Sequence, residues 1–456
     1  MVSKAQMLDA MQFSSFTDKN PMNETGHARY QITFQFAGTS RPADLPTGST
    51  YYGWTNFSGA EKAATRSVLS YVETLLNVEF VEVAGSGDPD MNFGKVDLDN
   101  ATAGRGGYSM SYSGSNILNW DGYAVFDRDL DLSKPGQIDL LLHEIGHALG
   151  LKHPFSDTHT LPRAEDNNKF TVMSYDANPD NGQDSDAMML YDIYALQDIW
   201  GAAANRTGNS VYTGPRNSTV DSVWDSGGTD TFDASARSKS VLLDLREGAF
   251  STFGKYPDMV IAYGTRIENA KGGSGDDKLI GNGWHNRLTG GAGEDTLLGG
   301  GGKDKLYGSS GKDLVNGQTG HDSLWGGWGN DRMLGGTGND RLYGQKHNDT
   351  LRGGSGNDIL KGGKGNDTLL GEAGNDILVG HSGSDKFVFA KNGGDDRILD
   401  FKDDVDHLRF DGLGKKGGIL AKASEIGQDV VFDFGAGGQL TVHDITIADL
   451  RDDILV

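Results

Sequence analysis

A nonapeptide of the form G-G-x-G-x-D-x-L-x is repeated from Gly272 to Val388 without insertion, which gives thirteen copies. The first position is glycine in every copy, the eighth is always apolar, and the sixth is aspartate in every copy except at Asn286. A flexible glycine-rich linker has no reason to carry an apolar residue at every ninth position. The pattern therefore predicts stacked structural units, each with a short x-L-x strand whose apolar side chain points into a core.

The loop half of each repeat supplies oxygen atoms for a cation. Glycine lets the loop adopt positive φ and exposes its carbonyl oxygens, and aspartate adds an anionic oxygen. This set suits calcium, which takes about six to eight oxygen ligands. The formal net charge of −23 also favours bound cations, because unneutralised carboxylates repel one another in a compact chain. Trp284 and His347 replace the fourth glycine of their copies, so weaker calcium binding is expected there and at Asn286.

The repeat resembles the calcium-binding repeat of RTX proteins. This resemblance implies that two copies make one turn of a right-handed parallel β-roll and that neighbouring turns share calcium ions. Without calcium, charge repulsion and glycine entropy are expected to keep residues 272–388 disordered.

A second motif lies upstream, where the eleven residues from His143 to His153 read H-E-x-x-H-x-x-G-x-x-H. His143 and His147 are one helical turn apart and therefore share a helix face. Gly150 can end the helix so that His153 approaches as a third ligand. Three protein ligands leave the open position that a catalytic zinc ion needs, and Glu144 is placed to accept a proton from water. The motif predicts a hydrolase with one catalytic Zn²⁺.

The segment Thr171-Val172-Met173-Ser174-Tyr175 follows this motif. The two segments together resemble the metzincin metalloproteases, and Pro154 with Met173-Ser174-Tyr175 is similar to the serralysin branch (peptidase family M10B). The resemblance implies that Met173 forms an apolar floor beneath the metal and that Tyr175 is a movable zinc ligand that steadies the oxyanion. It implies a secreted, calcium-stabilised zinc endopeptidase that cleaves proteins or peptides with Glu144 as general base.

The resemblance also implies calcium ligands. The expected ligands of one ion in the repeats are Gly273, Gly275, Asp277, Gly290, Ala292 and Asp295. Further candidates in the repeats are Gly291, Gly293, Gly299, Gly301, Asp304, Asp313, Asp322, Asp331, Asp340, Asp349, Asp358, Asp367, Asp376 and Asp385. Candidates upstream of the repeats are Arg206, Gly208, Asp225, Gly227, Gly228, Asp230 and Glu268. Calcium ions on the order of ten are expected in a structural role.

Changes in residue pattern along the chain predict a multidomain protein. Residues 1–28 are expected to be a weakly structured leader and a candidate propeptide. Residues 29–200 are expected to form an α/β metzincin zinc-protease domain, and residues 201–271 an interdomain β segment with calcium sites. Residues 272–388 are expected to form an all-β parallel β-roll of the RTX type, and residues 389–456 a sandwich-like C-terminal β cap with a secretion signal.

Local patterns predict elements of the α/β domain. Alternation in residues 30–36 predicts a half-buried strand, and a capping box at residues 58–61 predicts a helix start. Strand-like residues 78–83 are followed by a segment, 84–117, that is rich in turn residues. The zinc-binding helix is expected from about residue 137 to 149, and another amphipathic helix from residue 190 to 200.

Composition excludes several kinds of site and partner. The absence of cysteine excludes disulfides and thiolate metal sites, and the acidic charge argues against nucleic acid or an anionic membrane surface. No stretch approaches the roughly 18 apolar residues of a membrane span, and the N-terminus lacks the apolar region of a signal peptide.

The final residues Asp453-Ile454-Leu455-Val456 resemble the terminus of serralysins exported by type I secretion. The resemblance implies an extracellular bacterial protein that uses the type I secretion machinery without a signal peptide. A proteinaceous inhibitor is a further expected partner, and the chain is expected to be a monomer.

Two alternatives come from other functional classes. The first is a non-enzymatic RTX adhesin or surface-layer protein with a decayed protease domain, against which the complete zinc motif argues. The second is an RTX lipase, for which the sequence has no G-x-S-x-G nucleophile motif.

Overall fold

The computed structural model describes residues 2–17, 19–43, 45, 51–85, 88–99, 102–156, 159–215, 219–390 and 393–455. Some residues named in the sequence predictions lie outside the described residues. They are Val456 of the predicted secretion signal, residues 86, 87, 100 and 101 of the segment expected to be turn-rich, and residues 1 and 18 of the expected leader. The chain divides into two compact units. The first unit contains Met1–Gly208, Pro215–Gly228 and Tyr256–Thr265, and the second contains Asn209–Gly214, Thr229–Lys255 and Arg266–Val456.

The first unit is built around a mixed sheet. Its elements up to residue 200 are α1 (Lys4–Met11), α2 (Ser14–Thr17), β1 (Tyr30–Phe36), β2 (Tyr52–Thr55), α3 (Gly59–Val72), β3 (Val78–Glu82), β4 (Met91–Asp97), β5 (Gly104–Ser113), β6 (Asn116–Asp127), a 3₁₀ helix (Pro135–Gln137), α4 (Ile138–Leu149) and α5 (Leu190–Trp200). The strand order is β3-β1-β4-β6-β5, with β2 paired to β4. Strands β1, β3, β4 and β6 run parallel, and β5 is antiparallel to β6. Helix α4 packs against β5 and β6, so the sheet supports the helix that carries the histidine motif.

The predicted elements β1, α3, β3, α4 and α5 of this unit are confirmed. In β1, Ile32 and Phe34 are buried, as the alternation indicates. Helix α3 begins directly after Ser58, whose Oγ accepts the Glu61 N–H at 3.2 Å while Glu61 Oε2 accepts the Ser58 N–H at 2.8 Å. This reciprocal pair satisfies two donors that the first helical turn would otherwise leave open.

The prediction of turns in residues 84–117 is wrong, because β4 and β5 lie within this segment. Strand β4 is buried on both faces, so its sequence lacks the polar and apolar alternation of a half-buried strand. Strand β5 contains several glycines, which suggested turns, but they let the strand approach α4 closely. A Cβ at Gly106 would lie 2.9 Å from the Cβ of His147 and closer still to the backbone of Glu144.

The expectation of a weakly structured leader is wrong for residues 4–17, which form α1 and α2. Met7 and Met11 are buried at helical spacing. The chain then continues as Gln12, whose Nε2 donates to the carbonyl of Ala195 at 2.8 Å. The N-terminal segment is thus part of the first unit's core, and its role as a propeptide stays a prediction.

Short strands follow α5 and lead into the repeats. They are β7 (Val211–Tyr212), β8 (Asp221–Val223), β9 (Thr231–Asp233), β10 (Leu242–Asp244), β11 (Phe250–Ser251), β12 (Met259–Ile261), β13 (Asn269–Lys271) and β14 (Lys278–Ile280). Strands β8 and β12 pair in parallel within the first unit.

The repeats form one strand each. The strand of the first copy is β14, and the others are β15 (Arg287–Ala292), β16 (Thr296–Gly302), β17 (Lys305–Ser310), β18 (Leu314–Gly320), β19 (Ser323–Trp328), β20 (Arg332–Thr337), β21 (Arg341–Lys346), β22 (Thr350–Ser355), β23 (Ile359–Lys364), β24 (Thr368–Ala373), β25 (Ile377–Ser382) and β26 (Lys386–Ala390). Successive strands alternate between two sheets, and each strand pairs in parallel with the strand two repeats on. Leu288 is therefore opposite Leu306 in one sheet, and Leu297 is opposite Val315 in the other. The side chains at the eighth position are buried in every copy, which confirms that the repeat encodes a stacked core.

Beyond the repeats, the chain contains β27 (Asp395–Ile398), β28 (His407–Asp411), α6 (Lys416–Leu420), β29 (Ala423–Ile426), β30 (Asp429–Asp433), a 3₁₀ helix (Gly435–Gly437), β31 (Gln439–Val442), α7 (Ile447–Asp453) and β32 (Ile454–Leu455). Strand β27 extends the sheet that contains β25, and β28 extends the sheet that contains β26. The antiparallel strands β29, β30 and β31 complete the first of these sheets. The end of the chain thus continues both sheets of the repeats, and the predicted domain boundaries stay predictions.

No helix within the described ranges combines the length and the apolar character needed to span a membrane.

Candidate active site

The end of helix α4 brings the three motif histidines together. Gly150 follows the helix with φ of 115°, a left-handed conformation that costs glycine little and that redirects the chain. The Nε2 atoms of His143 and His147 each lie 3.0 Å from Nε2 of His153. The predicted cluster is therefore formed by two turns of one helix and the segment that follows it.

The second nitrogen of two rings is held by the backbone. His143 Nδ1 lies 2.8 Å from the carbonyl of Val172, and His147 Nδ1 lies 2.9 Å from the carbonyl of Leu151. A carbonyl can only accept, so each ring donates from Nδ1 and directs an Nε2 lone pair at the centre of the cluster.

These donor atoms fit a zinc ion. Three neutral Nε2 atoms converge, and all ligand atoms of the three histidines lie within 4.8 Å of one another, a spacing that suits Zn–N bonds of about 2.0–2.1 Å. Burial lowers the pKa of His147 to about 3 and that of His153 to about 4, and the neighbouring rings add to both shifts. Burial also lowers the pKa of His143. Neutral imidazoles are the form that binds metal ions.

Glu144 is buried beside the cluster on the same helix. Burial raises its pKa to about 8, which a hydrogen bond from the Gly106 backbone and the charge of Arg105 oppose. Among the described residues, none offers a hydrogen bond to Glu144 Oε2. A carboxylate with a pKa near neutrality and a free oxygen suits proton transfer.

Tyr175 and Met173 differ in solvent exposure. Tyr175 is 69% exposed, its hydroxyl lies 3.0 Å from His153 Nε2, and burial of part of the ring with the charge of Glu144 raises its pKa. Its hydroxyl is therefore protonated and able to donate at neutral pH. Met173 is fully buried, and its Sδ would lie 2.8 Å from a Cβ at Gly146, so it packs under α4. Their roles as zinc ligand and metal floor stay predictions.

The segment that carries Met173 is held by Asp192 of α5. Asp192 is fully buried; its Oδ2 accepts the Val172 N–H at 2.9 Å, and its Oδ1 accepts the Thr171 hydroxyl at 2.6 Å. Burial raises the pKa of Asp192 to about 6, and these hydrogen bonds oppose the shift. Sequence patterns indicate α5 but not this contact, which depends on how α5 packs.

Other residues around the site are also missing from the sequence predictions. The Phe155 ring stacks on His153 with centroids 4.9 Å apart and an interplanar angle of 20°. Asp139 lines the cavity beside the cluster, four residues before His143. Helical spacing alone could have identified Asp139, since residues four apart share a face.

The sixth-position aspartates of the repeats form two rows, because alternate repeats belong to different sheets. Within each row, the N–H of one aspartate donates to Oδ1 of the aspartate two repeats on, as from Asp295 to Asp313 at 2.9 Å. The last two, Asp376 and Asp385, donate to Asp396 and Asp406 beyond the repeats. Among the described residues, no partner meets Oδ2 of Asp295, Asp304, Asp313, Asp322, Asp331, Asp340, Asp349, Asp358, Asp367, Asp376 or Asp385. Burial raises the pKa of these groups, to about 8 for Asp349 and about 7 for Asp331. Buried carboxylate oxygens without donors fit rows of cation sites.

The first repeat differs from these rows. Asp277 Oδ1 accepts the Val241 N–H at 2.8 Å and Oδ2 accepts the Gly273 N–H at 2.6 Å. Asn286 makes a contact that corresponds to the one between Asp277 Oδ2 and Gly273, because its Oδ1 accepts the Asn282 N–H at 2.8 Å. The predicted calcium contacts of Asp277 and of the glycine and alanine carbonyls stay predictions.

The candidate calcium ligands upstream of the repeats belong to both units. In the first unit, Asp225 is buried and its Oδ1 accepts the Gly227 N–H at 3.1 Å, and Arg206 has a left-handed φ of 50°. In the second unit, Asp230 is buried and its N–H donates to Glu268 Oε2 at 2.7 Å. Calcium binding by these residues, Gly208 and Gly228 stays a prediction.

Comparison with known families adds an independent finding. The family model described as Peptidase M10 serralysin C terminal matches residues 192–455, more than half of the chain.

The chain belongs to the peptidase M10 serralysin C-terminal family.

Proteins named as serralysins, and one named as a metalloprotease, resemble the chain at moderate identity. It is 33% identical over 296 residues to "Serralysin" of Photorhabdus laumondii, which covers 57% of this chain and 60% of that protein. It is 38% identical over 280 residues to "Serralysin A" of Dickeya chrysanthemi, with 55% and 58% covered. It is 34% identical over 304 residues to "Metalloprotease AprA" of Pseudomonas entomophila, with 59% and 61% covered. The chain thus spans about 60% of the length of the curated relatives it matches.

One solved structure, described as extracellular lipase LipA from Serratia marcescens, shares 22% identity over 40% of each chain with a TM-score of 0.22. A similarity this low says nothing about the fold or function of the chain.

Proposed function

We propose that the protein is a zinc metalloendopeptidase of the serralysin type that hydrolyses peptide bonds of proteins. The observation that carries the proposal is the convergence of three neutral Nε2 atoms beside the buried carboxyl group of Glu144. Relatedness to serralysins and to a metalloprotease supports it.

His143, His147 and His153 would hold the zinc ion, and Tyr175 would be a movable fourth ligand. When bound, zinc polarises the scissile carbonyl and lowers the pKa of water, the two contributions that a catalytic zinc makes. The backbone carbonyls of Val172 and Leu151 keep two of the rings in the ligating tautomer.

The protein's own residues carry the proton transfers. Glu144 takes a proton from the attacking water and later delivers it to the leaving amine, and its pKa near neutrality suits both steps. The hydroxyl of Tyr175 donates a hydrogen bond to the oxyanion of the tetrahedral intermediate. Met173 fills the space beneath the histidines and so supports their positions.

We assign the rows of repeat aspartates a structural role as calcium ligands, and calcium ions on the order of ten are expected in total. The unpartnered, buried Oδ2 atoms support this role, because ionised carboxylates in such a row repel one another unless cations lie between them. The division into a catalytic domain (29–200), a calcium-binding segment (201–271), a β-roll (272–388) and a cap (389–456) is part of the same proposal.

We further propose export to the extracellular medium by type I secretion, with protein or peptide substrates and a proteinaceous inhibitor as partners and a monomeric state. These expectations rest on the resemblance to serralysins and on the sequence of the last residues.

Substitution of the proposed base tests the enzymatic role. Glu144→Ala is expected to bind zinc at the wild-type stoichiometry and to lose about 10²–10⁴-fold or more in casein hydrolysis, because the base is removed while the ligands remain. Wild-type-like hydrolysis by this variant would refute the role of Glu144. Absence of casein hydrolysis by zinc-loaded wild-type protein would instead favour a non-enzymatic adhesin or surface protein.

A further inference from the structure

A cavity of about 440 Å³ lies beside the histidine cluster and reaches His143, Glu144 and Tyr175. Leu140 and Val172 form apolar parts of its wall. Glu144 Oε2, which is buried and has no partner among the described residues, belongs to a side chain that lines the same cavity. If the proposed function holds, a substrate side chain in this cavity lies next to the bond that is cleaved.

Two further carboxylates line the cavity. Asp139 is in the first turn of α4, one helical turn before His143, and is half-buried. Asp184 is exposed and comes from the segment between Met173 and α5. Among the described residues that line the cavity, none is lysine or arginine. Burial raises the pKa of Asp139 and the charge of Asp184 raises it further, so the two carboxylates interact across the cavity.

The backbone next to Asp184 is fixed. The Ser185 N–H donates to Asn168 Oδ1 at 3.1 Å, and the buried Ser185 hydroxyl donates to the carbonyl of Ala187 at 2.9 Å. Asn168 Nδ2 donates in turn to the carbonyl of Ser174, beside Tyr175, at 3.0 Å. The position of Asp184 is therefore tied to the segment that bears the proposed oxyanion donor.

The two aspartates do not form an ion site of their own. Within the described ranges, His143, His147 and His153 make up the one group of at least three histidine, aspartate or glutamate side chains close enough to share an ion. The two aspartates therefore suit the charged end of a long, flexible side chain better than a metal ion.

We propose that Asp139 and Asp184 select substrates with a lysine or arginine side chain next to the scissile bond, an inference that rests on the proposed function. The apolar wall at Leu140 and Val172 covers the methylene groups of such a side chain, while its charged end pairs with the carboxylates. The charged end also relieves the repulsion between the two aspartates.

Matched fluorogenic peptides test this selectivity. One parent sequence carries arginine, citrulline, leucine or glutamate on either side of the scissile bond, and citrulline keeps the shape of arginine without its charge. The arginine peptide is expected to exceed the citrulline peptide in kcat/KM by about tenfold or more, with the glutamate peptide poorest. The ratio of kcat/KM for the arginine peptide to that for the citrulline peptide is expected to fall at about 1 M salt, because salt screens partly exposed charges.

Variants test whether the two carboxylates cause the ratio of kcat/KM between the arginine and citrulline peptides. Asp139→Asn and Asp184→Asn are each expected to lower the arginine to citrulline ratio, and the double variant to bring it within about twofold of unity. Asp129→Asn removes one equally negative charge from a side chain that is 89% exposed and lies outside the cavity lining, and is expected to keep the ratio. A purely structural role of Asp139 at the helix start would change stability but leave the ratio unchanged.

Equal kcat/KM for the arginine and citrulline peptides in wild-type protein, or an unchanged ratio in the double variant, overturns this inference alone. Failure of zinc-loaded wild-type protein to cleave casein and every peptide overturns the proposed function and this inference together.

Discussion

The imidazole of His143 donates from Nδ1 to the main-chain carbonyl of Val172 at 2.8 Å. The N–H of the same Val172 donates to the buried carboxylate of Asp192 at 2.9 Å. Helix α5 is thereby connected to the proposed zinc ligand through one peptide segment, and hydrogen-bonded supports of this kind fix the ring orientation of metal ligands.

We expect Asp192→Asn to weaken zinc binding by about 10–100-fold, because the amide lacks the negative charge that strengthens the hydrogen bonds from the N–H groups of Val172 and Met189. Its nitrogen also faces the Thr171 hydroxyl, which now donates to Asp192 Oδ1. Thr171→Val removes the hydroxyl that donates to Asp192 Oδ1 and accepts the Met173 N–H, but it leaves the carboxylate and its two backbone donors in place, so a smaller loss is expected. Zinc competition with a chromophoric chelator measures both, and circular dichroism checks the fold. Wild-type zinc affinity in a well-folded Asp192→Asn protein would show that this connection does not position the ligand.

Tyr175→Phe removes the hydroxyl that lies 3.0 Å from His153 Nε2 and keeps the ring. We expect kcat for a peptide substrate to fall by about 10²–10³-fold with KM changed much less, because the hydroxyl acts on the oxyanion and not on the bound ground state. Steady-state kinetics separate the two parameters. A loss confined to KM would place Tyr175 in substrate binding instead.

The sequence predicts the repeat region better than the first unit. A strict nine-residue period with an apolar eighth position determines strand length, register and the buried side chains from Leu279 to Phe387 together, because each repeat packs in the same way on the repeats next to it and two along the chain. The histidine spacing is equally informative, since a helix and one glycine bring the three rings together.

Other parts of the site depend on contacts between distant segments. The Asp184 side chain reaches the cavity from an irregular segment that no periodicity describes. The glycines of β5 indicate turns when taken alone, yet they serve the close packing of β5 on α4. Such features follow from tertiary packing, which local patterns do not encode.

The aspartate rows predict an unusual pH dependence for calcium-free protein. Burial raises the pKa of Asp349 to about 8, that of Asp331 to about 7 and that of Asp313 to about 6, against about 3.9 in an unfolded chain. As pH falls from about 8 to about 4, the folded state gains protons that the unfolded state does not, so stability rises; it is lost as pH rises through the folded values. With calcium bound, acidification is expected to destabilise, because protons compete with the ion.

Thermal melts followed by circular dichroism at about pH 5 and about pH 8, with chelator or calcium, measure these opposite trends. The Glu144→Ala variant is used throughout to prevent self-digestion. In the matched variant Asp340→Asn, Oδ1 can still accept the Asp322 N–H while the charge is lost. It is expected to melt higher than the parent in chelator at about pH 8 and to gain less from calcium. A chelated protein that is more stable at high pH would contradict the assigned carboxylate rows.

The central claim is that three imidazoles hold one zinc ion for catalysis. Elemental analysis of purified, calcium-replete protein, combined with a casein assay on the same sample, tests it most directly. We expect one zinc ion per chain, loss of hydrolysis when a zinc-selective chelator removes it, and recovery when zinc is returned. His147→Ala is expected to lose both the ion and the activity. Full hydrolysis by protein that contains no transition metal would contradict the claim.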